Sequence, residues 1–144
     1  MIDTKTGPYA AFLLRVALGV MFIAHGFYLK IFVFTLPGTA QFFESLGLPA
    51  LLAYATVIAE SLGGLLLVLG VQARWAAAAL IPVLLGASWV HAGNGWLFTN
   101  QGGGWEYPVF LTVAAGAVAL LGDGAYALKP SRSLGELSGA RVAA

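Results

Sequence analysis

Residues 50–92 read ALLAYATVIAESLGGLLLVLGVQARWAAAALIPVLLGASWVHA and contain two long apolar runs, 50–71 and 73–92. Each run approaches the roughly 20 residues that an α-helix needs to cross a hydrocarbon layer about 30 Å thick. Only a short turn around Gln72 separates them, and the glycine at position 70 is typical of a helix C-terminus. The two runs are therefore predicted to be antiparallel neighbouring helices.

Two further runs, about 9–29 and 107–128, have the same apolar character. The chain of 144 residues is 60% hydrophobic and only 9% charged, with a mean hydropathy of +0.88, whereas a soluble domain carries roughly 25% charged residues. We therefore predict an all-α fold, an integral membrane four-helix bundle in which residues 1–129 form one domain. The small and polar residues 130–144 are expected to form a flexible tail.

The few charges orient the predicted bundle. Seven Lys and Arg residues against six Asp and Glu residues give a net charge of +1, which excludes the clustered basic face of a nucleic-acid-binding protein. One side carries most of the basic residues, namely Lys5, Arg74, Lys129, Arg132 and Arg141, and the other carries Lys30. Because basic loops stay in the cytoplasm, we expect a multi-pass protein of the cell inner membrane with both termini cytoplasmic.

Two charged residues fall inside predicted spans. Arg15 lies within the first span and Glu60 near the middle of the second, and a charge near a helix centre costs roughly 2.5 to 3.5 kcal/mol on insertion scales. We expect Arg15 and Glu60 to form a buried ion pair, because an extended arginine can reach across antiparallel helices. The pair either holds the helix register or tunes Glu60 as a proton-handling carboxylate.

A cluster of polar and aromatic residues is predicted at the outer end of the bundle. Its members come from the first span, the third span and the glycine-rich loop 93–106: His25, Lys30, His91, Asn94, Trp96, Trp105, Glu106 and Tyr107. The other outer loop, 30–49, is expected to contain a short amphipathic helix at the membrane interface. Two histidines at similar depth, with carboxylate and aromatic neighbours, make this cluster the candidate functional site.

Three interpretations of the cluster remain open from the residues alone. The aromatic residues could be interfacial anchors, since Trp and Tyr favour the headgroup layer. The cluster could bind a quinone, which needs hydrogen-bond donors, a proton source and flat apolar walls. The two histidines could ligate a haem, although no spaced ligand motif is present and no other metal site is predicted. The sequence contains no cysteine, so thiolate ligation and disulfides are excluded.

Several ordered motifs resemble those of the DoxX family of small four-helix membrane proteins. They are Leu14-Arg15-x-Ala17-Leu18-Gly19, His25-Gly26, Lys30, Phe43-x-x-Leu46-Gly47-Leu48-Pro49, Ala59-Glu60-x-x-Gly63-Gly64, Leu69-Gly70, Arg74, His91-x-x-Asn94-Gly95, Gly103-x-x-Glu106-Tyr107-Pro108 and Gly122-Asp123-Gly124-x-Tyr126-Ala127-Leu128. The resemblance covers about residues 12–129. It implies membrane subunits of thiosulfate:quinone oxidoreductase, or partners of sulfurtransferase and superoxide-dismutase proteins in oxidative-stress complexes.

We therefore expect a membrane subunit of a quinone-linked redox complex. In this hypothesis His25, His91 and Glu106 surround the quinone beneath the glycine-rich loop, Trp96 or Trp105 forms a wall, and Asn94 and Tyr107 complete the site. His91 or Glu106 exchanges protons while Lys30 polarises a quinone oxygen, and a partner protein supplies electrons. The alternatives are a membrane anchor or scaffold for soluble redox enzymes or other membrane subunits, and small-solute transport by a homo-oligomer.

Overall fold

The computed structural model describes residues 3–137, and every regular element among them is helical. The elements are α1 (Gly7–Ile23), a π-helix (Ala24–Val33) that continues it, α2 (Leu36–Ser45), α3 (Ala50–Leu69), α4 (Ala73–His91) with a 3₁₀ turn (Ala92–Asn94), α5 (Glu106–Leu121) and α6 (Leu134–Leu137). Three continuous helices are long and apolar enough to cross a membrane: 7–33, 50–69 and 73–94. Helix α5 has 16 residues and is a shorter apolar helix.

The bundle core is made where α1, α3, α4 and α5 meet. Leu18, Phe22, Leu67, Leu80 and Val118 are each at most 2% exposed. Alanines on the facing sides of α4 and α5 bring those two helices close, because a small side chain allows close backbone approach. Large apolar side chains cover much of the outer surface, as expected for a bundle in lipid.

Glycines allow close contact between α3 and the continuous helix formed by α1 and the π-helix. A Cβ added at Gly64 would lie 2.8 Å from the Gly19 carbonyl oxygen, and one added at Gly26 would lie 2.6 Å from the Glu60 Cβ. Neither position has room for a side chain, so the two backbones touch along this face. The small residues of α3 thus allow close packing of the helices.

The predicted ion pair between Arg15 and Glu60 is wrong. The Arg15 guanidinium is fully buried and donates instead to four carbonyl oxygens, those of Leu67, Val68, Asp123 and Ala125, at 2.6 to 3.0 Å. The Leu67 and Val68 carbonyls belong to the last turn of α3, where carbonyls have free acceptor capacity and the helix dipole is negative. Arg15 therefore closes the end of α3 rather than neutralising a carboxylate.

Arg74 does the same for α5. Its Nη1 donates to the carbonyls of Ala119 and Leu120 at 2.6 and 3.1 Å. The buried Asp123 accepts from the Ala73 backbone N–H at 2.6 Å, so this carboxylate satisfies a free donor at the start of α4. These contacts gather the N-termini of α1 and α4 and the C-termini of α3 and α5 at one end of the bundle, which we call the basic end.

Two boundary predictions are corrected. The fourth span ends at Leu121 and not at Leu128, because Gly122 has a φ of +90° and the chain then turns back against the end of α3. Leu128 N–H and Lys129 N–H donate to the carbonyls of Leu69 and Gly70. The predicted flexible tail is also held in its first part, since Ser131 donates to Asp123 and residues 134–137 are helical. Residues 138–144 lie outside the described residues.

Candidate functional site

Two adjoining cavities lie at the end of the bundle opposite the basic end. The first, about 510 Å³, is enclosed by the π-helix, α2 and the end of α4 and includes His25, Lys30 and His91 in its walls. The second, about 420 Å³, lies between α3 and α4 beneath α2. Both cavities share four lining residues, Lys30, Phe42, Phe43 and His91, so they meet at this point. We call them the head cavity and the groove. Their volumes fall in the range of about 300 to 1,000 Å³ that small-molecule sites occupy.

The π-helix brings His25 and Lys30 onto one face. In an α-helix, residues five apart point in different directions, whereas the hydrogen bonds of a π-helix run from residue i to i+5 and place such residues nearly above one another. Residues 25, 29, 30 and 34 line the head cavity, and the Phe34 N–H donates to the Leu29 carbonyl in this pattern at 2.8 Å. The unusual helix is thus what forms this wall.

The hydrogen bond made by His25 fixes its tautomer. Its Nδ1 lies 2.9 Å from the Met21 carbonyl oxygen. A carbonyl oxygen can only accept, so Nδ1 carries the hydrogen of the neutral ring. Nε2 then carries a lone pair and is the ring nitrogen that can accept a hydrogen bond or a proton from a ligand.

His91, at the end of α4, is held in the same way as His25. Its Nδ1 lies 3.0 Å from the carbonyl oxygens of both Gly102 and Gly103 in the glycine-rich loop. Both glycines have positive φ, which turns their carbonyls towards the ring. The head cavity therefore has two imidazoles in its walls, each held through Nδ1 with Nε2 available.

Lys30 pairs with Glu60 where the two cavities meet. The ammonium and the carboxylate are in direct contact, and their side chains are 20% and 8% exposed. Glu60 also lines the groove. A buried carboxylate needs a compensating charge. The ammonium that supplies it lines both cavities, so this pair is the charged element of the candidate site.

Helix α2 covers the head cavity, which confirms the predicted short helix in the loop 30–49. The buried Thr39 donates its hydroxyl to the Lys30 carbonyl at 3.1 Å and ties α2 to the π-helix. Phe42 and Phe43 then form a wall common to both cavities. Sequence reasoning did not select these residues, because a pair of phenylalanines in an apolar loop has no distinctive spacing.

The glycine-rich loop is held by hydrogen bonds among its own residues, and it does not line either cavity. Asn94 donates to the carbonyls of Gly102 and Gly103, and Glu106 accepts from the Phe98 N–H at 2.9 Å. Trp96 and Trp105 pack edge to face with ring centroids 4.5 Å apart. The structure brings His25, Lys30 and His91 together without Glu106, Asn94, Trp96 or Trp105. The cavity that these three residues line lies beneath α2, and no residue of the loop 93–106 lines it.

Tyr107 is an intermediate case. Its ring centroid lies 6.2 Å from that of His25, with the planes tilted by 34°. Tyr107 does not line either cavity. It is a neighbour of a cavity residue rather than a ligand contact. Among residues 3–137, no group of three or more His, Asp and Glu side chains could hold a metal ion.

Comparison with known proteins decides the family. Residues 10–93, more than half of the chain, match the sequence model of the DoxX family. The chain belongs to the DoxX family. The match begins in α1 and ends beside His91, so it contains the π-helix, α2, α3 and α4, which are the elements that form both cavities. The long apolar helices of this DoxX protein are accordingly those of a membrane protein.

One curated relative carries a functional name. A protein of Bacillus subtilis (strain 168) named "Putative oxidoreductase CatD" is 37% identical over 83 residues, which are 58% of this chain and 60% of that protein. The chain thus aligns with about three-fifths of the relative's length. No solved structure matches this DoxX protein.

Proposed function

We propose that this DoxX protein is the membrane subunit of a redox complex and that it binds a quinone or its hydroquinone in the head cavity. The observation that carries this proposal is the pair of histidines, His25 and His91, which come from two different helices, are fixed through Nδ1 and line one cavity of about 510 Å³. The remaining walls are mainly apolar and aromatic, which suits a flat apolar ring. The name of the Bacillus relative, an oxidoreductase, agrees with this class of function.

The residues of the cavity match the needs of quinone chemistry. A hydroquinone has two hydroxyl groups that must lose protons when it is oxidised. In the proposed arrangement, the Nε2 atoms of His25 and His91 accept hydrogen bonds from these hydroxyls and take up the protons. Lys30, held by Glu60, supplies positive charge that stabilises negative charge developing on a quinone oxygen. The same groups, protonated, serve the reverse reaction.

A partner protein completes the reaction in this proposal. The sequence has no cysteine, so this chain contributes no thiolate or iron–sulfur ligands. In this proposal the electrons pass to or from another subunit. We place the protein in the cell inner membrane with the basic end in the cytoplasm, because basic residues favour that side. The head cavity then opens towards the outer face.

Quinone binding by purified protein tests the proposal. The protein is extracted gently, and its lipid extract is analysed for quinones by mass spectrometry beside a visible spectrum for haem. The affinity for a tail-less benzohydroquinone, kept reduced under anaerobic conditions, is then measured for wild type, His25→Gln and His91→Gln. We expect each variant to bind at least about tenfold more weakly, a loss of about 1.4 kcal/mol, which corresponds to one good hydrogen bond.

Asn94→Ala is the matched control. Asn94 donates to the same two loop carbonyls as His91 but does not line the head cavity. If His91→Gln acts only by loosening the loop, Asn94→Ala will weaken quinone binding equally. Wild-type protein that binds no quinone would overturn the proposal and favour a non-catalytic anchor for soluble redox enzymes, and a haem band lost in the histidine variants would favour haem ligation.

A further inference from the structure

The groove has the shape of an elongated slot along two helices. Leu52, Thr56 and Glu60 line it from α3 at intervals of four residues, and positions 83, 86, 87 and 90 line it from α4. Both spacings describe one continuous helix face. From residue 52 to residue 60 the slot extends about 12 Å along the helix axis. A slot of this form suits a chain better than a ring.

The groove opens on the side of the bundle. Leu52 is 43% exposed and Trp89 is 61% exposed, and both belong to long apolar helices that face lipid in this membrane protein. Most other lining residues are apolar, either aliphatic or aromatic. An apolar chain could therefore enter the groove from the hydrocarbon layer without crossing water.

We propose that the groove binds the apolar tail of the ligand whose ring occupies the head cavity. This inference rests on the proposed function and defines its substrate class as a lipid-soluble quinone with a long hydrocarbon chain. The two cavities meet at Phe42 and Phe43, so the junction of ring and tail lies against two aromatic side chains. The Lys30 ammonium and the Glu60 carboxylate lie at the same junction, and their opposite charges compensate each other.

Gly86 offers a direct way to fill the groove. It lines the groove in the middle of α4, and a Cβ added there would meet no other heavy atom within 4 Å. Gly86→Leu therefore adds volume to the groove without a clash at the new Cβ, and leucine is a better helix former than glycine. Gly116 in α5 is the matched control, because its Cβ would also meet nothing within 4 Å and it lines neither cavity.

The experiment compares two quinones with the same ring, one without a tail and one with an n-decyl chain, in nanodiscs of one lipid composition. Partitioning of the decyl compound into lipid is the same for every variant, so the ratio of the two affinities is compared between variants. We expect Gly86→Leu to lower this ratio at least about tenfold by excluding the tail. Tail-less quinone affinity should change less than about threefold, and Gly116→Leu should behave as wild type.

The outcomes separate this inference from the proposed function. A wild type that binds both quinones, with an unchanged ratio in Gly86→Leu, would overturn the tail assignment and leave the ring site standing. A parallel loss of both affinities would show that the groove belongs to the ring site and would also overturn it. No binding of either quinone by wild type would overturn both proposals. If Gly86→Leu does not fold, Thr56→Leu fills the groove from α3 and is read in the same way.

Discussion

Separate removal of Lys30 and Glu60 should destabilise the protein, and removal of both together should cost less than the sum. Glu60→Gln leaves the Lys30 ammonium without its partner, and Lys30→Met leaves a carboxylate that is 8% exposed without a counter-charge. Breaking a fully buried pair costs about 3 to 5 kcal/mol. Because the Lys30 side chain is 20% exposed and water reaches it, we expect about 2 to 3 kcal/mol for each single variant.

The double variant Lys30→Met/Glu60→Gln removes both charges and leaves neither unpaired. The coupling energy between the two positions should therefore be about 1 to 3 kcal/mol, as found for residues in direct contact. Arg15 provides the internal comparison, since its guanidinium donates to carbonyls and not to Glu60. The cycle of Arg15→Lys with Glu60→Gln should be additive within about 0.5 kcal/mol.

The assay is reversible unfolding in mixed micelles, followed by tryptophan fluorescence across a denaturant series, with all variants in one detergent composition. Equal slopes against denaturant concentration are required before free energies are compared. Additivity for Lys30 and Glu60 together with coupling above about 1 kcal/mol for Arg15 and Glu60 would refute the charge pairing described above.

Three further variants test the structural framework by thermal unfolding. Arg15→Met should lose at least about 3 kcal/mol, because the carbonyls of Val68, Asp123 and Ala125 would lose the donor that Arg15 supplies, at about 1 kcal/mol or more each, while the Leu67 carbonyl keeps the Gly70 N–H. The exposed Arg132→Met should change stability by less than about 0.5 kcal/mol. Equal effects of the two variants would show that water reaches those carbonyls. Gly64→Ala should cost about 1 to 3 kcal/mol by overpacking against α1, and Gly116→Ala, which has open space, should not destabilise; a neutral Gly64→Ala would show that the two helices separate easily. Asp123→Ala should cost about 1 to 2 kcal/mol by uncapping α4, visible as a lower Tm, and an unchanged Tm would mean that the Ala73 N–H finds another acceptor.

The helical spans and their antiparallel order could be read from the sequence because hydropathy acts over whole segments. About 20 apolar residues in a row are compatible with few structures in lipid. The end of the fourth span could not be read in this way, because residues 122–128 are partly apolar and leave the helix at a glycine with positive φ. A local backbone geometry, and not a change in composition, ends that helix.

The partners of the buried charges required the tertiary structure. Sequence reasoning treated Arg15 as a charge in need of a carboxylate. It overlooked the carbonyls in the last turn of α3, which attract a guanidinium through both hydrogen bonding and the helix dipole. Glu60 instead pairs with Lys30. From the sequence, Lys30 is predicted to lie in a loop, whereas in the structure the π-helix extends the first span to Val33 and includes it.

The sequence alone determined that this protein is an all-helical membrane bundle, that it carries its histidines at the end opposite most basic residues, and that it resembles the DoxX family. Those properties depend on composition, periodicity and motif order, which are local in the chain. The tertiary structure alone decided which polar groups meet, that the head cavity lies beneath α2 and not beneath the glycine-rich loop, and that a groove adjoins it. The physical reason is that cavities and ion pairs depend on which faces of the helices meet. A small rotation of a helix, such as the one that a π-helix introduces, changes which side chains face a neighbouring helix.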